Sequence, residues 1–369
     1  MNSTAKGMRV LNISPWFPGQ NDPFHGVFVQ RHIQSIAEEV DQYIIHISIG
    51  KEIREPQRLE TSDSVQIYRP YRLRSWRLLE WIWFRTLKKE LKRLKAWDNF
   101  THVVFHVAYP SLVYYSKLQN LLPARKMIIE HWSGYHLHLN HDRNKRLTNI
   151  FKHGLTLATV SKRLGEDICE FVGRRVEYQV LPNIIDNKLF RFQSDEIGSH
   201  FLIHAWWKYP KQPDKLLEGI HALKKKGKSV FLRISGGGPL LSEMRDYVSK
   251  HNLQDQISFI GELSGQSLAD EFRRAKAFIL PTKYETFSVV IAEALCCGCP
   301  VFASDEGAIH ELVYADNGLL KTNDKTWEEI LEIGMDRAFD RKKIADSMLN
   351  RFDMMTVGKK YLALLEQLR

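Results

Sequence analysis

The stretch from residue 277 to residue 304 constrains the fold more than any other. Ala277-Phe-Ile-Leu280 is an apolar run stopped by Pro281, as a strand buried on both faces would be. A polar loop carrying Glu285 follows. Ser288 then stands where a helix cap belongs, and the helix it opens runs through Glu293 to Cys297. Gly298 lies just past its end and Pro300 bars continuation. Val301-Phe-Ala303 reads as the next strand. A strand–loop–helix–strand unit pairs its strands in parallel, with the helix as crossover. The helix N-terminus exposes unpaired amide N–H groups and the positive end of a dipole, so it can hold a phosphate or a sugar hydroxyl. On spacing alone, Glu285 and Glu293 also fit ordinary solvated carboxylates.

The same grammar runs through the chain. Strands are predicted at 8–13, 43–49, 65–68, 103–107, 126–129 and 157–160. The segments 27–39 and 111–119, the region from Trp76 onward, and 162–171 behind the cap Ser161 have helical spacing. Further strands are predicted at 201–205 and 230–234, with helices reaching Lys225 and covering 240–251. Such alternation implies doubly wound parallel sheets, whose ligands bind beyond the carboxyl ends of the strands. Three features stand at such ends. Gly26 closes the loop Ser14-Pro-Trp-Phe-Pro-Gly19 to Phe24-His-Gly26, where a backbone without a side chain can approach a ligand or simply turn. His131 follows the strand ending at Glu130. Ser235-Gly-Gly-Gly-Pro239 puts Gly236, Gly237 and Gly238 between a strand and a helix, allowing close approach to a nucleotide.

With 369 residues the chain exceeds what one core serves, so two domains are expected. No apolar run is long enough to span a membrane. The polar opening Met1-Asn-Ser-Thr-Ala-Lys-Gly-Met8 has no apolar segment and is not expected to be a secretory signal. Three of the four Cys are packed as Cys296-Cys-Gly-Cys299, which argues for a reducing compartment rather than a disulfide framework. The pair Cys296 and Cys299 would need two further zinc ligands, and the other Cys is the isolated Cys169. His131, His136, His138 and His141 match no zinc spacing either. The net charge of +10 is uneven: residues 69–95 hold six Arg and four Lys against Glu80 and Glu90, a local +8. Tyr71, Trp76, Trp81, Trp83 and Phe84 are interleaved with them, and Trp97 follows. This segment suggests an anionic lipid surface, or else a solvated helix face over buried Trp; no RNA or DNA motif supports nucleic acid.

Glu285-Thr-Phe-Ser…Glu293-Ala…Gly298-Cys-Pro-Val301 resembles the E-x7-E segment of retaining glycosyltransferases of family 4, down to the Gly-x-Pro-Val exit. Ile13-Ser-Pro-Trp-Phe-Pro…Gly26-Val-Phe-Val…His32 is similar to the family's start. Pro182-Asn-Ile-Ile-Asp186…Phe190 resembles its Pro-Asn-Gly-Val-Asp…Phe segment, with Ile184 in place of Gly. The resemblance covers nearly the whole chain and is strongest in 181–320.

It implies the α/β GT-B arrangement, two Rossmann-like doubly wound domains facing a cleft: 1–190 on the acceptor side, 191–350 for the nucleotide sugar, and a helix in 351–369 crossing back to the first domain. The implied reaction moves a sugar from a nucleotide diphosphate donor to a saccharide or lipid-linked acceptor, with retention at the anomeric carbon. No Asp-x-Asp occurs in the chain, so the resemblance implies a metal-independent reaction with no cofactor. By position, Lys211 matches the family's phosphate-binding lysine, while Trp206 fills the slot of its partner arginine; Lys208 could supply the missing charge. Glu285 would touch donor sugar hydroxyls, and Glu293 the ribose. The amides around Phe287, Ser288 and Val289 would meet sugar and phosphate, with Gly26, Gly236, Gly237 and Gly238 also on the donor. His131 would orient the reacting sugar. A non-catalytic saccharide- or nucleotide-binding relative is the alternative that Trp206 raises.

Overall fold

The computed structural model describes residues 7–19, 22, 25–94, 99–123, 125–136, 141–193 and 198–368. The polar leader 1–6, Phe24, Trp97 and His138 lie outside them. The chain divides into two compact units, Met1–Ile184 with Met354–Arg369, and Ile185–Asp353.

The first unit is built on β1 (Arg9–Ser14), β2 (Asp41–Gly50), β3 (Gln57–Glu60), β4 (Ser64–Pro70), β5 (His102–His106), β6 (Arg125–Glu130), β7 (Thr156–Thr159) and β8 (Gln179–Val180). They form one sheet in the order β3-β4-β2-β1-β5-β6-β7-β8, and only the β3–β4 pair is antiparallel. Its helices are α1 (Val27–Gln34), α2 (Trp76–Leu94), α3 (His141–Ile150) and α4 (Lys162–Val172). The uninterrupted burial of β5 is what a central parallel strand covered on both faces requires. The Ser161 hydroxyl caps α4, accepting from Leu164 N–H at 3.1 Å.

The second unit holds β9 (His200–His204), β10 (Phe231–Ser235), β11 (Ile257–Gly261), β12 (Phe278–Leu280), β13 (Val301–Ser304) and β14 (Gly318–Lys321). All pair in parallel, in the order β11-β10-β9-β12-β13-β14. This is the doubly wound 3-2-1-4-5-6 order, with its switch point between β9 and β12. The helices are α5 (Pro213–Lys225), α6 (Leu241–Lys250), α7 (Gly265–Arg274), α8 (Val289–Cys296), α9 (Trp327–Asp336) and α10 (Arg341–Met348). Finally α11 (Met354–Glu366) returns to the first unit, where Val357, Tyr361, Leu364 and Leu365 pack with Val10, Ile36, Leu181 and Ile184.

Several expectations need correction. Residues 185–190 belong with the second unit: Ile185 N–H donates to Phe352 O at 2.8 Å, and Arg273 holds the carbonyls of Leu189 and Arg191 at 2.7 and 2.9 Å. The expected helix over 111–119 is instead a run of turns with short 3-10 segments. Its buried apolar residues, Leu112, Tyr115 and Leu118, recur every third position and are linked by successive three-residue hydrogen bonds, the period of a 3-10 turn rather than an α-helix. The helix after Gly26 ends at Gln34, where the Ser35 hydroxyl turns back on His32 O at 2.7 Å. Ser288 does not cap α8 with its side chain: at φ 68° it is left-handed, and its buried hydroxyl has no hydrogen-bond partner among the described residues.

Candidate active site

At the switch point of the second unit, the loops after β9 and β12 are tied together. Lys211 and Thr282 form an isolated antiparallel bridge, Gln212 N–H donates to Pro281 O at 3.0 Å, and Lys283 N–H to Pro210 O at 3.0 Å. This brings the Lys211 ammonium onto the Glu285 carboxylate as an ion pair, the side chains 17% and 14% exposed. The Thr282 hydroxyl donates to the same carboxylate oxygen at 3.3 Å. The Glu285 carbonyl accepts from Ala308 N–H at 2.9 Å, and a Cβ on Gly307 (φ 62°) would lie 2.3 Å from that carbonyl oxygen. Only glycine fits there, because the position is both left-handed and against a backbone. Glu285 is thus held by its own loop and by two segments distant in sequence.

Glu293 is buried in α8. The Phe287 ring turns inward, edge-on to Phe352 at 5.3 Å, so only its backbone is available to a ligand. Val289 opens the helix. The glycine run has a purpose its sequence does not reveal. A Cβ on Gly236 would come 1.9 Å from Ala205 O, and one on Gly238 2.6 Å from Trp207 N, so these two glycines admit the backbone after β9. Gly237 faces Trp206 and Glu262 instead. Trp206 and Lys208 are exposed, and Trp207 is fully buried.

In the first unit, Gly26 is left-handed at φ 76°, and a Cβ there would meet the Trp16 carbonyl carbon at 2.6 Å. The glycine therefore lets α1 begin beneath the β1 loop. His131 is buried, its ring 4.7 Å from Phe28, 5.5 Å from His32 and 6.3 Å from His106. Burial, with those two imidazoles, holds its pKa well below the ordinary histidine range despite a hydrogen bond with Asn183, so the ring is neutral. His32 reaches Pro182 O at 2.9 Å and His106 reaches Asn12 Oδ1 at 3.1 Å. Burial lowers His32 and His46 to about 4, and His106 also lies well below its usual value. Glu130 is a structural anchor beneath His131, accepting from the amides of Ala108, His131 and Trp132 and from Tyr135 Oη.

The cysteines and the basic–aromatic segment, also singled out above, are placed by their packing. The thiols of Cys296, Cys297 and Cys299 are buried, which pushes them up, Cys299 to about 11; they close α8 as small apolar groups. Among the described residues, no group of His, Cys, Asp or Glu is arranged to hold a metal ion. In α2 both acids turn inward, Glu80 to Arg146 at 2.7 Å and Glu90 to Arg58 at 3.0 Å. Trp83 is buried, Trp81 exposed, and Arg69, Arg85, Lys88, Lys89 and Lys92 line an open groove with Trp81. Sequence reasoning gave no role of their own to Thr282, Gly307, Glu262, His32 and His106, and all but Thr282 meet their partners only across the fold.

Two doubly wound units with a returning terminal helix define the GT-B fold. Sucrose-phosphate synthase from Thermosynechococcus elongatus superposes with a TM-score of 0.79 at 17% identity, over 98% of each chain. Anabaena HepE, solved in complex with UDP and glucose, gives 0.72 at 15% identity, over 98% of this chain and 100% of that one. Residues 200–347 match the family model of glycosyl transferases group 1. Glycogen synthase of Mycobacterium tuberculosis is 28% identical over 43% of this chain and 39% of its own length. The mannosyltransferase LpsB of lipopolysaccharide core biosynthesis in Rhizobium meliloti is 39% identical over 20% of each. The putative glycosyltransferase EpsF of Bacillus subtilis is 31% identical over 45% of this chain and 47% of its own length. The chain thus spans less than half of these curated relatives. The structural matches show the GT-B fold, and the sequence matches of the second unit are to glycosyltransferases.

Proposed function

We propose that the chain is a retaining glycosyltransferase that moves a sugar from a nucleotide diphosphate donor to a saccharide or lipid-linked acceptor, without a metal. The observation that carries this reading is the Lys211–Glu285 pair, pinned at the switch point of a unit that matches group 1 glycosyl transferases. HepE's complex with UDP and glucose supports a nucleotide-sugar donor, and LpsB supports work on surface saccharides.

In the reaction, the bond between the anomeric carbon and the diphosphate oxygen breaks, and the acceptor oxygen bonds to that carbon on the same face. The acceptor proton passes to the departing phosphate, so no dedicated base is required. Lys211 meets the charge that develops on the diphosphate, with Lys208 and the amides from Phe287 to Val289 at the start of α8 sharing it. Glu285, held by Lys211 and Thr282, accepts from sugar hydroxyls, and Glu293 from the ribose. In the first unit, neutral His131 is assigned to orienting the sugar and Gly26 to the donor.

We assign the work to the cytoplasmic face of a membrane, in polysaccharide or glycolipid synthesis, with α2 as a peripheral attachment. Among the described residues no helix is long and apolar enough to cross a membrane. A second reading, a non-catalytic nucleotide or saccharide binder, is favoured by Trp206, which has no charge to grip a phosphate. Glu285→Ala decides between them. The first reading expects transfer from a panel of nucleotide sugars by the parent chain and its loss in the folded variant. Undiminished turnover in the variant would refute the assignment, and calorimetric binding without transfer or hydrolysis by the parent would favour the second reading.

A further inference from the structure

On the β9 side of the switch point, an exposed indole and an exposed carboxylate stand over the same glycine. Trp206 is 57% exposed, whereas Trp207 beside it is wholly buried. Trp207 is clamped: its N–H donates to Gly237 O at 2.6 Å, its Nε1 to Ser235 O at 2.9 Å, and its carbonyl accepts from Leu240 N–H at 3.0 Å. Lys208 N–H in turn donates to Trp206 O at 2.9 Å. The loop is anchored at one tryptophan in a way that holds the other outward. An indole kept in water by a fixed loop forgoes its own burial and is available to a ligand.

A Cβ on Gly237 would lie 2.5 Å from Glu262 Oε1 and 2.9 Å from Trp206 Cζ3. The bare backbone of Gly237 is therefore the floor between ring and carboxylate. These three residues stand at the carboxyl ends of β9, β10 and β11, where a doubly wound sheet receives its ligand. They are in the same unit as Lys211 and Glu285.

The ring offers a flat π face, and an ionised carboxylate only accepts hydrogen bonds. Their natural ligand is a flat heterocycle with adjacent N–H donors on one edge. Guanine presents its ring N1–H and exocyclic N2–H side by side, and a carboxylate takes both in parallel. Uracil presents one N–H between two carbonyl oxygens, which a carboxylate repels. We propose that Trp206, Gly237 and Glu262 form the nucleobase subsite, with Trp206 stacking on the base and Glu262 selecting guanine, so that the donor is a guanosine diphosphate sugar. The proposal rests on the donor-site reading above and adds the identity of the base.

Titration calorimetry of the full chain with GDP and with UDP tests it. GDP is expected to bind more tightly by about ten- to a hundred-fold, the range for hydrogen bonds to a charged group. Glu262→Gln should erase most of that preference by weakening GDP alone. Trp206→Ala should weaken both nucleotides by about ten-fold, the loss of one aromatic–base stack, and Trp206→Phe should restore most of it. Both side chains are exposed, so neither substitution removes core packing. Equal binding of GDP and UDP, or a GDP preference that survives Glu262→Gln, would overturn the guanine assignment and leave the donor site standing. Binding of neither nucleotide would overturn both.

Discussion

Replacing Gly307 with alanine separates two costs that usually come together. At φ 62° a side chain strains the backbone by about 1–2 kcal/mol whatever surrounds it. Here the new Cβ would also press to 2.3 Å from Glu285 O and 2.8 Å from Glu285 N, so the loop must move. Moving it breaks the Ala308 N–H bond to Glu285 O, a further ~0.5–1.5 kcal/mol. Gly173 is the control: its φ is 71°, it ends α4, and nothing lies within 4 Å of a Cβ built there. Gly173→Ala should carry the strain alone, while Gly307→Ala should cost roughly 2–3 kcal/mol in denaturant melts. Activity should separate them further. A catalytic loop displaced by about 1 Å loses on the order of a hundred-fold in rate, so Gly307→Ala should lose that much transfer and Gly173→Ala almost none. If the two variants match in both stability and turnover, the backbone of Glu285 is not what positions the site.

Two further outcomes follow from groups buried in the first unit and exposed on it. His32 and His46 fall from 6.5 to about 4 on folding, so the unfolded chain binds protons that the folded chain refuses. Their stabilisation is present above pH 6.5 and is lost as pH falls toward 4, at up to about 1.4 kcal/mol per pH unit for each ring. Melts across that range should show a steep loss, which His46→Gln should make shallower; a flat profile in the parent chain would contradict the buried neutral rings. Because α2 turns both its acids inward, its outer face is left basic, and the chain should float with vesicles containing anionic phospholipid at low salt. Reversing Lys88, Lys89 and Lys92 to Glu should abolish this, at about 1 kcal/mol per basic residue near the surface. Failure of the parent chain to float would refute the attachment.

Local pattern sufficed for β12, α8 and β13, because burial, turn and stop signals follow one another along the chain there. It likewise gave Ser161 its cap and Gly298 its place past α8, where φ is 75°. It misjudged residues 111–119, where a three-residue period of burial resembles a helix in composition but not in hydrogen bonding. It gave Ser288 a capping role that a left-handed backbone denies it. It also read Gly236 and Gly238 as room for a ligand, when most of that room is taken by the backbone of Ala205 and Trp207.

The sequence by itself determined which residues stand at strand ends, since hydrophobic runs, glycines and prolines act over a few positions. Local pattern therefore pointed to Glu285 and His131, and the family resemblance to Lys211. Only the tertiary structure decided what each one meets. The bridge between Lys211 and Thr282, the lock of Gly307 on Glu285, and the imidazoles of His32 and His106 around His131 join segments far apart in the chain. Such partners are selected by how strands order themselves in a sheet, and that order comes from packing rather than from any local run of residues.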